Sequence, residues 1–93
     1  MCKRIREDDI EEILKLFNKE KKITIEFLGF VNQKIIINYP EIIFQNEERE
    51  IIIKNSENYI KINLGYVEEI YFEQKNKLKF LTEKELEILI IFL

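Results

Sequence analysis

A chain of 93 residues with 46% hydrophobic and 35% charged side chains can bury one hydrophobic core, and its composition excludes a disordered tail. The formal net charge of −3 is opposite in sign to the charge that favours non-specific nucleic-acid binding. We therefore expect one globular domain over residues 1–93 with a mildly acidic surface.

The residue types that are missing exclude several classes of chemistry. The sequence has no histidine, which removes the most common general base, the most common zinc ligand and every Ser-His or Cys-His nucleophile pair. Gly29 and Gly65 are the only glycines, so the sequence contains neither glycine-rich phosphate-binding motif. The prediction is a protein that is not an enzyme and uses no cofactor or metal.

The cellular compartment is predicted from the cysteine content and from the apolar runs. Cys2 is the only cysteine, so no disulfide can form within the chain, and we expect this end of the chain to be disordered. The sequence shows no signal-peptide core and no apolar run of about 18 residues. These features predict a protein of the reducing cytoplasm with no membrane association.

Residues 7–19 have the periodicity of an amphipathic helix. Ile10, Ile13, Leu14 and Phe17 recur at i, i+3, i+4 and i+7, so their side chains share one helical face. The first turn is acidic and the end of the segment is basic, which is the arrangement that the helix dipole favours. We predict the N-terminal helix over this range.

The middle of the chain has the pattern of short β-strands. From Ile23 the apolar residues alternate with period two, and further apolar segments separated by polar turns follow as far as Phe80. The sequence contains nineteen isoleucines, whose β-branched side chains favour strands. We therefore predict an α+β fold with a five- or six-stranded antiparallel sheet, or a small, partly closed barrel.

The spacing of apolar residues from Ile60 to Phe72 is Ile-x-Ile-x-Leu-x-x-Val-x-x-Ile-x-Phe. This spacing resembles the strand, short turn and strand near the end of SH3-like and Sm-like barrels. The resemblance covers a small part of the chain, and the glycine-containing motifs of Sm proteins are missing from it. It implies a small barrel of a kind that binds RNA.

The C-terminal segment is strongly apolar. Thr82 and Glu85 match a capping box, which predicts a helix that begins at Glu83, with a strand over residues 86–93 as the alternative. As a helix, the segment would be apolar almost all round, and for either a helix or a strand the simplest cover is a second copy of the chain. We therefore predict a homodimer, with an interface formed by Leu86, Leu89, Ile90, Phe92 and Leu93.

Acidic residues fall in three clusters, at residues 7–12, 47–50 and 68–73. Simple explanations are a helix start for the first, a hairpin tip for the second and a β-bulge near Glu68 for the third. Carboxylates can also occupy the places of phosphates in a groove that evolved to bind nucleic acid, while tyrosines fill its apolar pockets. The candidates for such a partner-binding surface are Glu47, Glu48, Glu50, Glu57, Glu68, Glu69, Glu73, Tyr66 and Tyr71.

Three alternating lysines offer a second hypothesis. Lys75, Lys77 and Lys79 would project from one face of a strand, and Tyr59 with the other tyrosines could stack on bases. The arginines, which are better suited to phosphate contacts, number only three. Edge-strand lysines that block aggregation are the simpler explanation.

Together these features lead to the hypothesis of a non-enzymatic protein-interaction protein. Small size, acidity and codons rich in A and T suggest a phage or mobile-element inhibitor of a host nucleic-acid-handling complex, of the anti-CRISPR or anti-restriction type. The expected partners are a host protein or protein–nucleic acid complex and a second copy of the chain. The alternatives are a small Sm-like or SH3-like barrel that binds RNA and a structural oligomer such as a phage assembly component.

Overall fold

The computed structural model describes residues 2–17, 19–29, 32–83 and 86–92. The described residues form one α-helix, nine β-strands and one short 3-10 turn. The helix is α1 (Glu7–Leu16), and the strands are β1 (Cys2–Ile5), β2 (Lys22–Leu28), β3 (Gln33–Asn38), β4 (Glu41–Gln45), β5 (Glu50–Lys54), β6 (Tyr59–Asn63), β7 (Val67–Glu73), β8 (Lys77–Thr82) and β9 (Glu87–Phe92), with the 3-10 turn at Leu64–Tyr66.

The strands form two antiparallel sheets. The large sheet has the order β1-β7-β8-β9-β2-β3, and the small sheet has the order β4-β5-β6. Helix α1 contacts β4, and its buried side chains share one hydrophobic cluster with both sheets. The helix and the small sheet therefore cover the same face of the large sheet, which we call the inner face; the opposite face is the outer face.

Alternation along each strand decides which side chains enter the core. On β2, Ile23 and Ile25 are fully buried on the inner face, whereas Glu26 lies on the outer face. On β5, the central strand of the small sheet, Ile51 and Ile53 are fully buried in the same cluster. The prediction of an α+β fold built on isoleucine-rich antiparallel strands is confirmed.

Helix α1 begins where the sequence predicts and ends three residues early. The backbone N–H of Arg6 donates to Oδ2 of Asp9 at 3.0 Å, which satisfies one backbone group at the helix start. Ile10 and Leu14 are buried, as the stripe predicts. Just after the helix, the ring of Phe17 stacks on that of Phe92 with a centroid distance of 4.1 Å.

The prediction of a C-terminal apolar helix is wrong, and the alternative of a strand is confirmed. Residues 87–92 form β9, which lies between β8 and β2 in the large sheet. A central strand has neighbours on both sides, so its outer-face residues are shielded as well, and apolar side chains suit both faces. Thr82 does not cap a helix; it ends β8, and its hydroxyl donates to the Leu86 carbonyl at 3.0 Å. Glu85 and Leu93 lie outside the described residues.

The large sheet is open, so the prediction of a partly closed barrel is wrong. The described strands at its two edges are β1 and β3, and β1 pairs only with β7. The strand at the N-terminus was missed by the sequence analysis, which expected disorder around Cys2. The SH3-like spacing does mark a strand, a 3-10 turn and a strand, but β6 and β7 belong to different sheets.

Helix α1, with ten residues, is the only α-helix among the described residues, and it is too short to cross a bilayer.

Candidate protein-interaction surface

A cleft of about 520 Å³ lies at one end of the molecule. Its walls come from β1, the start of α1, the turn between β4 and β5, and the start of β7. All three arginines of the sequence, Arg4, Arg6 and Arg49, line it. The tertiary structure thus brings together residues that are far apart in the chain.

Each of these arginines lies next to a carboxylate. The Arg49 guanidinium donates to both carboxylate oxygens of Glu7, with Nη2–Oε1 at 2.8 Å and Nε–Oε2 at 3.0 Å, and these hydrogen bonds raise the pKa of Arg49. The contact ties the β4–β5 turn to the start of α1. Arg4 Nη1 lies 3.9 Å from Glu69 Oε1. Arg6 Nη2 lies 4.0 Å from Asp8 Oδ2. The positive charge of the cleft is therefore offset within the molecule.

Three further carboxylates lie in the segments that contribute to the cleft, although only Glu68 lines it. Glu47 and Glu48 lie in the β4–β5 turn directly before Arg49, and the carboxylate-bearing Glu68 lines the cleft wall. All three glutamates are exposed, and no basic side chain of the described residues lies within ion-pair distance of them. This end of the protein therefore has an excess of negative charge, which we call the acidic end.

A β-bulge explains the position of Glu68. Val67 pairs with Thr82 and Glu69 with Leu81, so Glu68 is an extra residue in β7 with no partner on β8. The prediction of a bulge near Glu68 is confirmed, and the prediction of a hairpin tip is confirmed for Glu47 and Glu48, whereas Glu50 begins β5 and pairs with Gln45. The sequence could not show that these two features lie beside one cleft.

The remaining predicted acids lie elsewhere. Glu50 is on the outer side of the small sheet, where Lys61 Nζ is 3.4 Å from its Oε2. Glu73 is on the outer face of the large sheet, 3.9 Å from Lys79 Nζ. Glu57 lies in the β5–β6 turn and lines a separate cavity with Glu41. These three glutamates do not belong to the acidic end.

The two tyrosines proposed as anchors occupy different surroundings. Tyr66 is 65% exposed and lines an apolar cavity of about 310 Å³ with Leu86. Tyr71 lies on the outer face of the large sheet, and its hydroxyl donates to Glu69 Oε2 at 2.7 Å. Because Glu69 also faces Arg4 at the cleft, Tyr71 adjoins the acidic end. Tyr66 precedes the cleft residue Val67 in the chain, but its side chain lines the separate apolar cavity.

The hydrogen bond to Glu69 raises the pKa of Tyr71, with burial and the Glu69 charge adding to the effect. The protonated phenol is therefore favoured in the folded state. Its contribution to the free energy of unfolding is fully present below about pH 10, the ordinary pKa of tyrosine, and is lost as the pH rises through the folded-state pKa. In an ultraviolet absorbance titration, we expect the step removed by Tyr71→Phe to lie above pH 10. Glu69→Gln should move that step down, and a step at or below pH 10 in the wild type would contradict the contact.

The lysines of the nucleic-acid hypothesis are only partly grouped. Lys77 and Lys79 share the outer face of β8, but Lys75 lies in the preceding turn with a positive φ of 65°. Lys79 Nζ lies between carboxylates, 3.9 Å from Glu73 and 4.0 Å from Glu87. Tyr59 lies on β6 in the other sheet. The structure does not bring these residues together as one basic, aromatic surface.

The predicted dimer interface is divided between core and surface. Ile90 and Phe92 are 0% and 2% exposed within the monomer, so they fill the core and are not available to a second copy. Leu89 is 8% exposed on the outer face, and Leu86 is 39% exposed. The apolar segment that was expected to need a second copy is a strand covered largely within the monomer, between β8 and β2. Self-association itself stays a prediction.

Within residues 2–17, 19–29, 32–83 and 86–92, no group of three or more acidic or cysteine side chains is arranged to hold a metal ion. Comparison with protein-family models, with curated proteins and with solved structures found no match. The proposed function therefore rests on the charges, contacts and exposure of the described side chains.

Proposed function

We propose that this protein is a non-enzymatic inhibitor or regulator that binds a partner protein through its acidic end. The observation that carries the proposal is the charge balance at the cleft. Arg4, Arg6 and Arg49 are each offset by a carboxylate. Glu68, which lines the cleft, and the exposed Glu47 and Glu48, which directly precede the cleft residue Arg49, add negative charge.

The chemistry of this surface favours a cationic partner. Uncompensated carboxylates accelerate association with a basic surface and repel acidic surfaces, nucleic acid included. The β4–β5 turn, which carries Glu47 and Glu48, is held against α1 by the hydrogen bonds from Arg49 to Glu7. Carboxylates held in this way can occupy a groove of the partner protein that normally binds phosphates. The proposed target is therefore the nucleic-acid groove of a host complex, as for an anti-CRISPR or anti-restriction protein.

The proposal extends to the biological setting. We propose a phage or mobile element as the source and the bacterial cytoplasm as the compartment. A single cysteine, composition rich in residues with A- and T-rich codons, and the lack of histidine support this setting. RNA binding through Lys77 and Lys79 has less support, since Glu73 and Glu87 lie beside Lys79.

Affinity capture from a lysate of a bacterium of low GC content tests the proposal. The triple variant Glu47→Lys, Glu48→Lys and Glu68→Lys should lose a protein that the immobilised wild type retains. We expect binding of that protein to weaken at least about tenfold, because three charge pairs turn from attractive to repulsive. Nucleic acid added in excess should also release the captured protein, because it competes for the same groove.

The matched control changes the net charge by the same amount at other places. Glu12→Lys, Glu41→Lys and Glu57→Lys alter three exposed glutamates that lie neither in the cleft lining nor in the β4–β5 turn, and this variant should retain the partner. Equal loss in both variants would show a general charge effect and would reject the acidic end as the site. Retention of RNA or DNA with no protein would reject the function.

A further inference from the structure

Strand β3 is an edge of the large sheet. Its sequence is Gln-Lys-Ile-Ile-Ile-Asn, and β2 is the only described strand that pairs with it. Ile36 lies on the outer face and is 48% exposed. The opposite edge, β1, has two basic residues, Lys3 and Arg4, among its four residues, whereas β3 has one, Lys34, beside three consecutive isoleucines. Charge therefore discourages pairing with a further strand less at β3 than at β1.

The hydrogen-bond pattern shows which backbone groups of β3 are available. The Tyr39 N–H donates to the Lys21 carbonyl at 2.7 Å, which extends the β2–β3 register by one bonded pair. Bonded and non-bonded pairs alternate along an antiparallel ladder, so Ile35 and Ile37 bond to β2. The N–H and C=O groups of Lys34, Ile36 and Asn38 therefore point to the free side.

One of these groups is already used within the molecule. The Asn38 carbonyl accepts a hydrogen bond from Asn55 Nδ2 at 2.9 Å, as expected if it points away from β2. Asn55 lies in the β5–β6 turn and so covers the C-terminal end of the β3 edge. The groups left for another strand are the N–H and C=O groups of Lys34 and Ile36 and the N–H of Asn38, so Lys34 and Ile36 are the two residues with both groups available.

We propose that β3 pairs antiparallel with β3 of a second copy, with the two Ile35 residues opposite each other on the two-fold axis. In this register Lys34 of each copy is opposite Ile36 of the other. Four N–H···O=C bonds then form, and they use every available donor and acceptor of Lys34 and Ile36 in both copies. A register centred on Ile36 would instead require the Asn38 carbonyl, which Asn55 occupies.

The side chains fit the same register. Lys34 faces an isoleucine of the other copy, so no like charges are directly opposite. On the outer face, Ile91, Thr24 and Ile36 are neighbours across three strands, and the next side chain across the axis would be Lys34 of the second copy, beside its own Glu26. The result is a continuous twelve-stranded sheet with a β1 strand at each end, which closes the assembly as a dimer.

The mass in solution tests the proposal. Strand pairing of this length belongs to the small-interface class, below about 1,200 Å², so we expect a dimer that dissociates on dilution from about 100 μM. Ile36→Lys places a lysine opposite Lys34 of the other copy and should give a monomer. Tyr59→Lys, on the exposed edge strand β6, is the control and should leave the dimer intact.

Cysteine cross-linking tests the register. In a Cys2→Ser background, Ile35→Cys places the two thiols on the axis, where opposed residues of a non-bonded pair suit a disulfide. We expect its cross-linking rate to exceed that of Ile36→Cys by at least about tenfold, although position 36 is the more exposed. Circular dichroism of the monomeric forms checks that each variant is folded.

Three outcomes would overturn the proposal. The first is a wild-type protein that stays monomeric at about 1 mM, well above the range of weak specific pairs. The second is a dimer that persists in folded Ile36→Lys, which would place the interface elsewhere. The third is the growth of particles much larger than a dimer, which would contradict two-fold closure and favour a structural oligomer.

Discussion

Replacing Ile90 with aspartate is expected to abolish the native fold, whereas Ile91→Asp should be tolerated. Ile90 is fully buried on the inner face of β9, and this strand lies between β8 and β2. Aspartate at this position would lose the packing of the isoleucine and would place an unpaired carboxylate in the core, at a cost of more than about 5 kcal/mol. A cost of this size consumes most of the stability of a small domain.

The neighbouring position provides the control. Ile91 lies on the outer face opposite Lys77, so an aspartate there is accessible to water and faces a positive charge. We expect Ile91→Asp to cost about 1–2 kcal/mol, mainly through lost burial and strand propensity. Urea unfolding followed by circular dichroism distinguishes the two variants. Similar losses of stability at both positions would contradict the alternation of a strand and would favour a helical end.

Phe80→Ala should have the second largest effect, a loss of about 3–5 kcal/mol in the free energy of unfolding. Phe80 is fully buried on β8 and is paired with Ile70 on β7 and Ile88 on β9. Truncation to alanine would leave a cavity that several strands line, and a sheet with neighbours on both sides cannot easily collapse into it. The midpoint of urea unfolding is the appropriate measurement.

A graded series strengthens this test. Phe80→Leu retains most of the apolar volume and should cost less than half as much as Phe80→Ala. Lys79→Ala, one residue away on the outer face, should change the stability by no more than about 1 kcal/mol, since partly exposed ion pairs contribute little. A loss below about 1 kcal/mol for Phe80→Ala would show that β8 is not part of the core.

Local patterns in the sequence were sufficient for the elements that depend on periodicity. The stripe of Ile10, Ile13, Leu14 and Phe17 correctly indicated α1, because a helix buries one face whatever lies against it. Alternation from Ile23 correctly indicated β2. By contrast, β1 was missed, since Cys2-Lys3-Arg4-Ile5 has no apolar alternation, and it is a strand because β7 pairs with it.

The C-terminal segment was misassigned for a related reason. A short apolar run has the same pattern in a buried helix and in a central strand, and the capping box at Thr82 favoured the helix. In the structure, β8 and β2 offer two ladders of hydrogen bonds, and residues 87–92 fill the gap between them. That gap depends on the pairing of distant strands, which local spacing does not encode.

The candidate site was also predicted only in part from the sequence. The exposed acids Glu47 and Glu48 were identified as a hairpin tip, and Glu68 as part of a bulge, from short-range signals alone. Their common position beside a cleft with Arg49 and Glu7 depends on how the small sheet lies against α1. The arginines were considered only as scarce phosphate ligands, and no local pattern indicated that they converge.

By itself, the sequence determined the composition-level properties of this protein: an α+β class rich in isoleucine strands, an N-terminal amphipathic helix and a chain without histidine chemistry. These properties follow from residue types and short-range periodicity, which act over a few residues. The tertiary structure alone decided the open six-stranded sheet, the central place of β9, the cleft of three arginines and the free edge of β3. Each of these depends on which distant strands share hydrogen bonds, and that choice is made by the packing of the whole core.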